Sequence, residues 1–198
     1  MDSGYAWIAI AAVIGVLVVA FDVRGRGEQR RRSGVPGLAS DADDIYVALR
    51  LSALTETLDH LGLVVKGDGV KSFGLVIDVG LERGAVTLST LITGDVSLYA
   101  SDGGGTLGGI DEPEVKTAAV AAIKRAEAAM AAMSPTKTFP LPPSGQARFY
   151  LLRSDRSVLT AEDTIERLAG GISDLSPAWG AAHKVFEWLG VTTMKRTS

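Results

Sequence analysis

A glycine-rich stretch between residues 103 and 109 is the part of the sequence best suited to bind a charged ligand. The stretch consists of Gly103, Gly104, Gly105, Thr106, Leu107, Gly108 and Gly109. Backbone N–H groups of such a loop, placed before a helix, can bind a phosphate. However, no lysine follows the glycines as a Walker loop requires, and Asp111 and Glu112 would repel an anion. We interpret the stretch as a connector, with a partner-binding loop and a phosphate site as alternatives.

Few other residues suggest chemistry. His60 and His183 are the only histidines and the chain has no cysteine, so a zinc site would need both histidines and distant carboxylates. No GxSxG or HExxH motif is present. Asp78 stands in the otherwise apolar run FGLVIDV, and we expect a strand-end carboxylate bound by loop N–H groups. We therefore expect no catalytic residue, no metal and no cofactor.

Several aromatic and apolar residues are candidates for partner contacts. Trp179 and Phe186 share one stripe of the last predicted helix and suit the core, whereas Trp188 falls off that stripe. An exposed tryptophan is typical of a protein interface. The Pro-rich segment 136–145 is either a docking ligand or a loop. The candidate partner-binding residues are Tyr99, Phe139, Leu141 and Trp188.

The elements that position these residues follow from apolar periodicity. A helix is predicted from about Asp43 to Leu63, and a second, alanine-rich helix begins at Pro113 and ends before Pro135. The first helix has an apolar stripe that we interpret as its core-facing side: Val47, Leu51, Leu54, Leu58 and Leu61. Shorter helices are predicted from Thr160 to Ala169 and from Ser176 to Leu189.

The strands predict a mainly antiparallel sheet. A buried strand is predicted from Phe73 to Val79, and a hairpin turns at Gly94-Asp95, which would place Leu91 opposite Leu98. Another strand is predicted from Arg148 to Arg153. Because hairpins dominate, we expect an α+β domain over residues 40–190 with two layers. Its sheet of four to five strands should carry helices on one face, followed by a polar tail, 191–198.

The N-terminal region predicts a membrane anchor, residues 1–23. The 19 residues from Ser3 to Phe21 carry no charge, and as a helix they would be about 28 Å long, close to the bilayer core thickness of about 30 Å. A cleaved signal peptide and a buried core helix are the alternatives. Tyr5 and Trp7 suit the outer interface. The linker, 24–39, contributes the positive charges: Arg24, Arg26, Arg30, Arg31 and Arg32.

This charge asymmetry orients the chain. Arginines close to a span stay on the cytoplasmic side, so we expect a single-pass inner-membrane protein with its N-terminus outside and its C-terminal domain in the cytoplasm. The arginines can also attract anionic lipid. Ala11 and Gly15 form a small-xxx-small pair that leaves a homo-oligomer open.

Composition narrows the function. From Ser33 onward the chain has 15 Lys and Arg against 20 Asp and Glu, and this acidic balance of −5 makes sequence-independent nucleic-acid binding a poor expectation. The absence of asparagine excludes N-glycosylation. The sequence therefore favours a membrane-anchored cytoplasmic adaptor or scaffold that binds partner proteins. The alternatives are a small membrane-tethered enzyme or a nucleotide- or ligand-binding sensor that uses the glycine-rich stretch.

Overall fold

A computed structural model describes residues 41–64, 67–103, 105–107 and 112–195. The predicted anchor and linker, with Tyr5, Trp7 and the five arginines, lie outside the described residues, as do Gly104, Gly108 and Gly109. Within the described ranges, none of the helices combines the length and the apolar character that crossing a bilayer requires.

An antiparallel sheet of seven strands forms the centre of the α+β domain. The strands are β1 (Ser72–Gly80), β2 (Ala85–Leu91), β3 (Val96–Ala100), β4 (Gly105–Leu107), β5 (Ser134–Thr136), β6 (Gln146–Arg153) and β7 (Val158–Thr164). Their order is β4-β3-β2-β1-β6-β7-β5, and central β1 is buried at every residue. The prediction of four to five strands was too low, because the three-residue strands β4 and β5 add to the edges of the sheet.

The helices are α1 (Asp41–Leu54), α2 (Pro113–Ala128), α3 (Ile165–Ala169) and α4 (Ser176–Lys195), with a 3-10 turn at Met130–Ala132. Pro113 occupies the first turn of α2, where its missing N–H costs nothing. Alanines at 119, 122 and 126 are fully buried, so α2 approaches the sheet closely.

The first face of the sheet carries the main hydrophobic core. Leu75, Ile77 and Leu88 point to this face and pack under α2 and α4. The ring of Trp179 lies edge-on to Phe149, with 6.4 Å between ring centroids. Trp179 and Phe186 are 2% and 4% exposed, which confirms their predicted place in the core.

The second face of the sheet is also covered by a helix, whereas the sequence predicted helices on one face only. Side chains alternate along a strand, so Val76 and Asp78 of β1 point away from the main core. The helix α1 lies over this face, where Leu54 packs with Val76 and Tyr150. Helices therefore lie on both sides of the sheet.

Helix α1 differs from the prediction in both length and orientation. It ends at Leu54 instead of Leu63, and residues 55–63 form turns in which Leu58 and Leu61 still pack on the second face. The predicted core residues Val47 and Leu51 are 59% and 50% exposed. The buried side of α1 is formed by Tyr46, Arg50 and Leu54, because polar groups on the sheet below bind Tyr46 and Arg50.

The hairpin between β2 and β3 is present, but its predicted register is wrong. Leu98 pairs with Leu88, and Leu91 pairs with Gly74 of β1 on the other side. The turn is longer than two residues, since the N–H groups of Leu91 and Gly94 bond within it, to Asp95 and to Leu91. Leu91 consequently lies on the second face, beside Val76.

Candidate functional site

A buried polar cluster, formed by Tyr46, Arg50, Asp78 and Thr87, lies between α1 and the second face of the sheet. Arg50 donates from Nε and from one terminal nitrogen to Asp78 Oδ2, at 3.0 and 2.5 Å. Thr87 Oγ1 donates to Asp78 Oδ1 at 2.6 Å. Both carboxylate oxygens are therefore bound, although the Asp78 side chain is fully buried.

The direction of the remaining hydrogen bond follows from the charge of Asp78. An ionised carboxylate only accepts, so the Thr87 hydroxyl proton is used on Asp78. Tyr46 Oη, 2.9 Å from Thr87 Oγ1, must then be the donor in that bond. The three polar side chains form one directed chain that ends on the carboxylate.

Burial and charge act in opposite directions on the ionisable groups of this cluster. Burial alone would lower the pKa of Arg50, but the hydrogen bonds and negative charge of Asp78 outweigh it, so the pKa of Arg50 is raised. Burial raises the pKa of the Tyr46 phenol, and the hydrogen bond to Thr87 only partly offsets it. The cluster therefore holds a charged arginine and a protonated tyrosine at neutral pH.

Local sequence places these groups together. Tyr46, Arg50 and Leu54 recur at every fourth position and so share one side of α1. Asp78 and Thr87 are direct cross-strand neighbours of β1 and β2. The prediction of a strand-end carboxylate bound by loop N–H groups was wrong, because Asp78 lies inside the strand pairing and is bound by side chains. The sequence did contain a signal for this pairing, since Arg50 is the only lysine or arginine between Arg32 and Lys66.

The Pro-rich segment, here residues 138–143, crosses the same face and is held by its carbonyl groups. Pro140 O accepts from Tyr150 Oη at 2.6 Å and from Arg148 at 3.0 Å. Phe139 O accepts from Arg50 at 2.8 Å, and the Phe139 ring lies edge-on to Tyr150 with 5.6 Å between centroids. Arg148 also forms an ion pair with Glu162 at 2.5 Å.

The cluster is built to hold structure and not to admit a substrate. The side chains of Arg50 and Asp78 are 12% and 0% exposed, and each carboxylate oxygen already has a donor. In the part of the chain that the structure describes, no group of His, Cys, Asp and Glu could hold a metal ion. His183 is distant in sequence from the cluster, and its Nδ1 lies 3.5 Å from Glu187 on the same helix.

The outer surface of α1 is its solvent-exposed part, which carries two pairs of apolar side chains on opposite flanks of the helix: Ile45 with Leu49, and Val47 with Leu51. In that order, these side chains are 58%, 37%, 59% and 50% exposed. Seven of the eight large apolar residues exposed in the described chain lie on α1, in the segment that joins it to β1, or in the Pro-rich segment. The exposed apolar area is therefore concentrated in the elements that cover the second face.

The candidates from sequence are not brought together into one site. Tyr99 is 7% exposed and packs under α1 beside Tyr46. Phe139 is half-buried on Tyr150, whereas Leu141 is 43% exposed. Trp188 is half-buried against the main core.

The glycine-rich stretch is partly strand. Gly105 and Thr106 pair with Tyr99 and Leu98 of β3 as part of β4, because the outer edge of β3 offers free backbone groups. Gly103 adopts a positive φ of 91° in the turn before it. A shallow groove of about 480 Å³ lies elsewhere, between α2 and α4, and is lined by Ala118, Ala121 and Ala181 among others.

Comparison of the chain with protein-family models, curated proteins and solved structures found no match.

Proposed function

We propose that this chain is a membrane-anchored cytoplasmic adaptor that binds a partner protein through the outer surface of α1. The observation that carries the proposal is the exposure of four large apolar side chains, Ile45, Val47, Leu49 and Leu51, on one short helix. Exposed apolar side chains that are concentrated on one element are typical of interaction sites, whereas single exposed apolar residues are ordinary.

The way α1 is attached supports this proposal. A surface helix normally turns its apolar side to the core and its charged side to water. Helix α1 departs from this arrangement, because the charged Arg50 lies on its buried side with Tyr46 and Leu54, while Val47 and Leu51 are exposed. Such a helix leaves apolar area in water unless a second surface covers it. A partner protein would supply that surface.

The anchor predicted from the sequence determines where such binding would occur. The predicted linker, 24–39, joins the predicted anchor, 1–23, to the domain that begins with α1. A linker of this length and of the flexible kind that its Gly, Arg and Ser content predicts would have an r.m.s. extension of about 22 Å. The outer surface of α1 would therefore stay near the bilayer, which raises the local concentration of membrane-bound partners.

Lipid is a less suitable occupant than protein. The first turn of α1 carries Asp41, Asp43 and Asp44, and α1 has no basic residue in its last turn. Interfacial helices that lie on anionic membranes are instead rich in lysine and arginine. The basic charge that attracts lipid is in the linker, 24–39, and not in α1.

Site-specific photo-crosslinking in native membranes tests the proposal. A photoreactive residue is introduced at Val47 or Leu49, and at exposed Lys116 of α2 as the matched control. We expect a defined protein adduct from α1 alone, and we expect Leu51→Asp to abolish it because a carboxylate would enter the interface. Adducts with lipid only, or equal protein adducts from Lys116, would contradict the proposal.

A further inference from the structure

We propose that α1 and the turns that follow it, up to residue 64, form a cover that lifts from the second face of the sheet as one unit. The sheet and the main core stay folded when the cover opens. Opening brings water to apolar side chains of the second face that are buried in the closed state, among them Val76 and Ala85. The proposal concerns a movement within the chain, so it goes beyond the adaptor role and does not depend on a partner.

Helix α1 is attached through much less buried apolar side chain than the other long helices. Among residues 44–54, only Tyr46 and Leu54 are buried, and the turns after α1 add the half-buried Leu58 and Leu61. By contrast, α4 buries Trp179 and Phe186, and α2 buries five apolar residues: Val115, Ala119, Ala122, Ile123 and Ala126. Because burial of apolar area is the main contribution that holds one element on another, α1 costs the least of these three helices to lift.

The polar contacts beneath α1 fix where it docks but add little to the cost of lifting it. Arg50 binds Asp78 and donates to Phe139 O, and Tyr46 donates to Thr87. When the cover lifts, water reaches both charges and restores the hydration that burial removed. A buried ion pair is therefore weak evidence for stability, although loss of one partner alone is costly.

The connection between the cover and β1 offers a hinge. Gly67 and Gly69 lie just before β1, with positive φ of 88° and 94°. Open space surrounds the position that a Cβ would take at each of them, so these two residues are not packed against the domain. The ion pair between Asp59 of the cover and Arg156 is exposed and adds little to the attachment. We assign the hinge to the two glycines, whose backbone angles are the least restricted.

Cysteine labelling of the full chain in nanodiscs tests the proposal, because the sequence contains no cysteine of its own. Two single-cysteine variants report on the two ends of α1: Ala85→Cys, in the apolar cluster of Tyr46, and Val76→Cys, in the cluster of Leu54. Each rate of reaction with a small thiol reagent is divided by the rate of the same variant unfolded in urea. We expect the two positions to react at similar normalised rates, because one movement uncovers both.

The matched control is a cysteine in the main core, Ala122→Cys on the buried side of α2. If that variant does not fold, Ala147→Cys on β6, also in the main core, takes its place. We expect both test cysteines to react at least about 100-fold faster than the control, because a local opening costs less free energy than unfolding of the core.

The decisive comparison adds Phe186→Leu, which weakens the main core, to each cysteine variant. The closed and open states both keep that core, so the two test rates should stay unchanged while the control rate rises by about ten-fold. An equal rise at all three positions would mean that α1 opens only when the domain unfolds, which overturns the inference. A fast rate at residue 85 with a slow, control-like rate at residue 76 would also overturn it, because only the first turns of α1 would then fray. Either result would leave the crosslinking test of the adaptor role unaffected.

Discussion

Replacement of Asp78 by alanine should be among the most damaging single changes to the domain. The change removes the acceptor of two hydrogen bonds from Arg50 and one from Thr87. Arg50 would keep its charge in a site where its side chain is only 12% exposed. Breaking one half of a buried ion pair costs about 3–5 kcal/mol, so we expect that loss in the free energy of unfolding.

The same reasoning predicts that removing both charges is far less harmful. Replacing a buried ion pair by apolar residues of similar volume is often neutral. Arg50→Met with Asp78→Val should therefore recover most of the stability that Asp78→Ala loses. The Met side chain would occupy the space of the Arg50 methylene groups against Tyr150, and Val at position 78 has a high propensity for β-strands.

Urea unfolding of the full chain in zwitterionic detergent, followed by tryptophan fluorescence, provides the measurement. Trp179 is buried in the main core and reports the loss of the sheet. An Asp78→Ala cost below about 1 kcal/mol would mean that water solvates the cluster. A double replacement less stable than Asp78→Ala would refute the view that the unpaired charge is the main penalty.

Three further outcomes follow from other contacts. Gly80→Ala should cost about 1–3 kcal/mol in urea unfolding, because a new Cβ would lie 2.6 Å from Pro142 O. Gly180→Ala, with no atom within 4 Å of the new Cβ, should instead stabilise α4 by about 0.5–1 kcal/mol. Burial raises the folded pKa of Tyr46 and Tyr150. Above pH ~10 the unfolded chain loses protons that the folded chain keeps, so stability should fall as pH rises. The slope should be at most about 1.4 kcal/mol per pH unit for each tyrosine and shallower in Tyr→Phe variants.

The sequence was most informative where one periodic pattern had one interpretation. The alanine-rich helix from Pro113 and the strand FGLVIDV were both expected, because each carries a single continuous apolar signal. The antiparallel sheet was expected from its hairpins. Register was not, since it depended on the number of turn residues beyond Gly94 and Asp95.

The predicted boundaries of helices and strands were wrong where pairing between strands outweighed a local sequence signal. Residues 160–163 resemble a capping box, but β7 continues to Thr164 because it pairs along β6. Thr164 is the actual N-cap, and its Oγ1 accepts from Arg167 N–H at 3.2 Å. The prediction of a threonine N-cap was thus correct in kind, but the N-cap lies four residues later than predicted.

Helix α1 was misread because it carries two overlapping stripes. Val47 and Leu51 continue an apolar heptad-like pattern, whereas Tyr46 and Arg50 lie on the adjacent side of the helix. The rule that the more apolar stripe faces the core holds when a helix has only one partner surface. Here the sheet below α1 carries Asp78 and Thr87, so the polar stripe is the one that matches it. The apolar stripe, Val47 and Leu51, is then left exposed. The same sequence feature that defeats the prediction of the core is thus the one that supports the proposed adaptor function.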